Sequence, residues 1–132
     1  MSEARIVAPR GDSAPRDDPD RAAEALLDHF RILPRARDQD LLWEVGEAFT
    51  HLPYENLTKL IRKHDPESRE RRRGPTVVVR DHLRWGTGGT CFALTETFLS
   101  VLRRVGYSCR PVMCDMKAGA DTHCAVWIDL PE

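Results

Sequence analysis

Cys91 follows the glycine-rich stretch Gly86-Thr87-Gly88-Gly89-Thr90 and opens the run Phe92-Ala93-Leu94, and His123 comes later in Asp121-Thr122-His123. A thiol delivered by glycines to the start of a helix, with an imidazole supplied from elsewhere, is the pair needed for a nucleophile and its base. Backbone N–H groups at a helix N-terminus carry partial positive charge and favour a thiolate there. Glycine before the sulfur removes side-chain bulk, so a substrate carbonyl can come close. In this reading Cys91 attacks a substrate carbonyl, with His123 as the base that takes the thiol proton. The backbone of the turn at Gly88, Gly89, Thr90 and Phe92, together with the Cys91 N–H, would hold the oxyanion. The plainer alternatives are a small buried cysteine at a helix start and a surface histidine at a strand start.

These two residues need elements to carry them. Phe92, Thr95, Phe98, Leu99, Leu102 and Val105 recur at helical spacing behind Cys91 until Gly106 stops the pattern. Tyr107 to Met116 reads as a strand, and His123 is expected to start another. In that strand Cys124, Val126, Ile128 and Leu130 alternate with His123, Ala125, Trp127 and Asp129. Upstream, Asp20 is expected to cap a helix with Ala22, Ala23, Leu26, Leu27 and Phe30 on its apolar stripe, ended by Pro34. Asp38 or Asp40 opens a second, with Leu41, Leu42, Val45, Ala48 and Phe49 inward and Pro53 after it. Thr76 to Val79 suits strand by β-branching and helix by the spacing of Val79 and Leu83 before Trp85-Gly86. Glu55 and Asn56 are read as capping and bracing the turn after the second helix. Trp43, Trp85 and Trp127 are read as core or cleft lining.

The organisation expected is a disordered leader over 1–19, a helical part over 20–85, and a nucleophile helix with the start of a β core over 86–132. The last strand would present a bare apolar edge, so the sequence reads as a truncated domain.

The 132 residues carry 20 basic and 21 acidic side chains, a balance that offers no broad field for nucleic acid or an anionic membrane. The basic run Arg69 to Arg73 lacks interleaved aromatics and is expected to be a solvated loop. No apolar run spans a bilayer and Met-Ser-Glu-Ala-Arg begins no signal peptide, so a cytoplasmic protein with four free thiols is expected. Zinc is disfavoured, because Cys109 and Cys114 would face opposite sides of a strand, as would His123 and Cys124.

Helices, a cysteine at a helix start, a strand and a histidine-bearing strand, in that order, resemble an α+β papain-like (cysteine proteinase-like) fold. More specifically, Leu52-Pro53-Tyr54-Glu55-Asn56-Leu57 resembles the Ile-Pro-Phe-Glu-Asn-Leu signature of the arylamine N-acetyltransferase family. Gly88-Gly89-Thr90-Cys91-Phe92 is similar to its Arg-Gly-Gly-x-Cys-Phe motif, and Val101 to Tyr107 to the run behind it. Thr87, Ala93 and Thr95 stand where that family has arginine, glutamate and asparagine. The resemblance covers about residues 20–130. It implies a Cys91–His123–Asp triad, no permanently bound cofactor, acetyl-coenzyme A as acyl donor and an aromatic amine as acceptor. Asp129 is roughly 20 Å from His123 along a strand, and Asp115 and Asp121 read as turn residues; in that family the aspartate comes on the next strand, so the resemblance implies a triad aspartate after Glu132. Gly-Thr-Cys before an apolar helix also resembles the transglutaminase-like group, which acts on amides. A catalytically decayed binding module of the same fold is the third reading.

Overall fold

The computed structural model describes residues 17–65 and 73–130. The expected leader therefore lies outside the described residues up to position 16, as do Arg69 to Arg72 of the basic run. Five helices and one antiparallel hairpin make an α+β arrangement: α1 Pro19–His29, α2 Gln39–Phe49, α3 Leu57–His64, α4 Pro75–Trp85, α5 Cys91–Arg104, β1 Ser108–Met116 and β2 Gly119–Asp129.

Local chemistry accounts for the boundaries. Asp18, rather than the expected Asp20, caps α1 by accepting from the Arg21 N–H, with Pro19 just inside the helix. A proline suits that first position because its missing N–H would have had no partner there. Asp38 caps α2 through the Leu41 N–H at 2.8 Å. The valine run is helical: Pro75 opens α4, and Gly86, at φ 69°, closes it by donating to the His82 carbonyl at 2.8 Å. That left-handed position is the one where glycine costs least.

α5 is the central element, in contact with α1 and α4 and with both strands. Leu102 and Val101 of α5 join Leu41, Val45, Ala23, Leu26, Val78 and Val79 in one apolar core. β2 starts at Gly119, four residues before the expected His123, because Lys117-Ala118 turns tightly between Met116 and Gly119. Pairing of Cys109 with Ile128, Pro111 with Val126 and Met113 with Cys124 defines one face of the ribbon. Cys109, Val126 and Ile128 of that face pack on the core. Ser108, Arg110, Val112 and Cys114, opposite Asp129, Trp127, Ala125 and His123, form the other.

The tryptophans correct their expectation. Trp43, Trp85 and Trp127 are all more than half exposed. Trp127 stands on the outer ribbon face under the Arg110 guanidinium, and Trp85 lies under that of Arg84. Among the described residues no helix is long and apolar enough to cross a membrane.

Candidate active site

Cys91 is the first residue of α5 and is half-buried. Thr90 precedes it as the N-cap residue in extended conformation, and its side chain makes no capping hydrogen bond. The first-turn N–H groups, those of Cys91 and Phe92 among them, thus point out of the helix end without a side-chain cap. The preceding turn is pinned on several sides. Gly89 donates its N–H to the Pro53 carbonyl at 3.1 Å, and Glu55 donates its own to the Gly89 carbonyl at 2.9 Å. A side chain at Gly88 would place its Cβ 1.8 Å from the Pro53 oxygen, so only glycine allows this approach. The two stretches that carried the sequence resemblance, Leu52 to Leu57 and Gly88 to Phe92, are therefore hydrogen-bonded to each other. Gly88 and Gly89 act as turn residues, with the Gly89 N–H already engaged.

Side chains complete the brace. Glu55, rather than Asn56, caps α3 by accepting from the Thr58 N–H at 2.9 Å and the Thr58 hydroxyl at 2.6 Å. His82 Nδ1 meets the Thr87 carbonyl at 2.9 Å, which requires that nitrogen to carry the proton. Arg73 corrects the expectation of a solvated basic loop: it is only 8 % exposed. Its Nη1 donates to the Gly88 carbonyl at 2.8 Å and to Thr58 Oγ1 at 2.5 Å, and its Nη2 to Asp81 Oδ2 at 3.2 Å. Burial works against a charged Glu55, but the Thr58 hydroxyl and N–H groups and the Arg73 guanidinium together hold its carboxyl below the ordinary carboxylate value.

That shift has a consequence for stability. A carboxyl whose value is lower in the folded chain stabilises it above the ordinary value of 4.5, and this stabilisation fades as the pH falls through the lower folded value. Urea melts between about pH 6 and pH 3 are expected to show Glu55→Gln less stable than the parent at the upper end, with the difference closing toward the lower. A difference independent of pH would remove the charge from this role.

Beside the helix end lies a cleft of about 630 Å³ between α5 and the inner ribbon face. Thr90 and Phe92, the chain neighbours of Cys91, line it with Ala93, Thr95, Met113 and Cys124. The Cys124 thiol donates to Thr95 Oγ1 at 3.1 Å and lies near enough to the Cys91 thiol for the two to interact electrostatically. Burial pushes Cys124 above the ordinary thiol value, the Cys91 and Cys114 sulfurs add to this, and the Thr95 hydroxyl opposes it.

The structure thus brings Cys124, not His123, to the Cys91 side of the ribbon. His123 lies on the outer ribbon face beside Cys114, because neighbouring strand residues point to opposite sides. Asp129 is at the far end of the ribbon, bonded to Ser108 Oγ and Trp127 Nε1, and Asp115 accepts from the Asp121 N–H as a turn residue does. Among the described residues no group of three or more His, Cys, Asp or Glu side chains is arranged to hold a metal ion. Sequence reasoning missed Arg73 and His82, which grip the turn carbonyls. The one available signal was the place of Arg73 directly before Gly74-Pro75, where the chain enters α4.

Comparison of the chain with family models, with curated proteins and with solved structures finds no significant match in any of the three.

Proposed function

We propose that this protein is a cysteine-nucleophile acyltransferase resembling the arylamine N-acetyltransferases, with a papain-like arrangement around Cys91. The observation that carries this reading is the direct pairing of the Pro53-Tyr54-Glu55 segment with Gly88-Gly89 at the start of the cysteine-bearing helix. That pairing sets a thiol at an uncapped helix end, where its chain neighbours Thr90 and Phe92, though not Cys91 itself, line a cleft large enough for a small acceptor. Cys91 Sγ attacks the acetyl carbonyl of acetyl-coenzyme A, forming a C–S bond to the enzyme as the C–S bond to coenzyme A breaks. The proton leaving Cys91 passes through a base to the departing thiolate; His123 takes this part once the ribbon turns its outer face toward α5. An aromatic amine then attacks the new thioester, takes the acetyl group and releases the Cys91 thiol. First-turn N–H groups of α5 stabilise the oxyanion in both halves.

The outward placement of His123 is the specific observation that favours the decayed binding module instead. Thiol reactivity separates the two. Burial pushes the Cys109 and Cys124 thiols above their ordinary value, so both react slowly. Sub-stoichiometric iodoacetamide at about pH 7, followed by peptide mapping, is expected to label Cys91 first. Labelling of Cys91 no faster than of Cys109 would support a site without a nucleophile. Release of ammonia from a glutamine substrate, with no uptake of acetyl from the thioester, would assign the transglutaminase-like chemistry.

A further inference from the structure

We propose that Arg73 is a positioning residue for Cys91, holding the glycine turn in the geometry that accepts an acyl group; this rests on the reading of Cys91 as the nucleophile.

Arg73 lies on a segment separate from both sequence motifs, yet its guanidinium joins them. One nitrogen bonds Gly88 of the turn and Thr58 of α3, and the other bonds Asp81 of α4. Glu55 Oε1 is 3.7 Å from Nη1. A planar fork can reach a carbonyl, a hydroxyl and a carboxylate at once, whereas a lysine ammonium is a single point charge on a flexible stem. Arg73 also lines the cleft, together with Thr90, Phe92 and Ala93. Position 87, immediately before the two glycines, is Thr87, whose buried hydroxyl finds no partner. The turn is therefore gripped through its carbonyls, by Arg73 at Gly88 and by His82 at Thr87.

Arg62 supplies the control. It also pairs with Asp81, at 3.4 Å, so it shares the ion cluster, but the contact to Gly88 belongs to Arg73. Three proteins would be compared: the parent, Arg73→Lys and Arg62→Gln. Acetyl uptake from acetyl-coenzyme A is expected to slow by about 10–100-fold in Arg73→Lys with the KM for the donor nearly unchanged, and by less than about twofold in Arg62→Gln. Amide hydrogen exchange at Gly89, whose N–H is held by Pro53, is expected to speed up at least about tenfold in Arg73→Lys, while the core amide of Leu102 keeps its protection. Thr58→Val, which removes the hydroxyl that accepts from Arg73 and donates to Glu55 without changing charge, should give the same pattern in weaker form and serves if Arg73→Lys does not fold. Unchanged acylation in the variants, or a loss of protection equal at Gly89 and Leu102, would overturn the positioning role. Absence of acetyl uptake by the parent protein would overturn the acyl-transfer reading instead, while the exchange at Gly89 still reports whether Arg73 holds the turn.

Discussion

Gly88→Ala is expected to lower the melting midpoint by about 10–15 °C, corresponding to roughly 3 kcal/mol for a chain of this size. The added Cβ would lie 1.8 Å from the Pro53 carbonyl oxygen and within 2.8 Å of two further Pro53 backbone atoms. Backbone cannot step aside as the tip of a side chain can, so the two segments must separate. Separation removes the paired hydrogen bonds between Gly89 and the Pro53–Glu55 segment, each worth about 1 kcal/mol net. It also removes the charge-assisted bond from Arg73 to Gly88. Cys91 should then lose its preference for iodoacetamide over the other thiols. Gly46 is the matched control: it lies within α2, and a Cβ there meets nothing within 4 Å. Gly46→Ala should stabilise the chain by about 0.5–1 kcal/mol, the ordinary helix preference for alanine. Thermal melts of the pair, monitored by circular dichroism, check both signs. An unchanged midpoint for Gly88→Ala would mean that the Pro53–Gly89 pairing is not held in solution.

The second large effect concerns the proton. Cys91→Ala is expected to abolish acyl transfer, and His123→Ala to slow it by about 10²–10⁴-fold, the usual contribution of a positioned general base. The His123 ring stands on the ribbon face opposite Cys124, the cysteine whose thiol lies near Cys91. One strand position reverses the face, so the base role requires the ribbon to turn or shift its register toward α5 when substrate binds. Single-turnover acetylation of the parent and the two variants measures the effect. A His123→Ala protein that acylates at the parent rate would take the base role away from this residue.

Much of the frame was legible in the chain because it depends on local rules. The α5 start at Cys91 and its stop near Gly106 follow from helical spacing and from a glycine at φ 96°. The alternation in β2 separates Cys124 from His123 without any knowledge of tertiary structure. Local patterns do not say which way a face points: the apolar face of β2 packs on α5, whose first residue is Cys91, so the cysteine falls on the side away from His123. Thr76 to Val79 shows the converse limit. β-Branching argued for a strand, but Pro75 and Gly86 bracket a helix that buries Val77, Val78 and Val79. Arg73 was hidden for a different reason. Nothing within the basic run marks Arg73 as an arginine whose charge Glu55 and Asp81 meet, since those partners come close only after α3 and α4 are in place.

The most direct test of acyl transfer through Cys91 is intact-mass spectrometry of the protein mixed with acetyl-coenzyme A in the absence of an amine. One added acetyl group is expected, mapped to the peptide containing Cys91, absent from Cys91→Ala and discharged when an aromatic amine is added. A protein that folds, keeps its Cys91 thiol and takes up no acetyl group, or carries it on another cysteine, would contradict Cys91 as the acyl-bearing nucleophile.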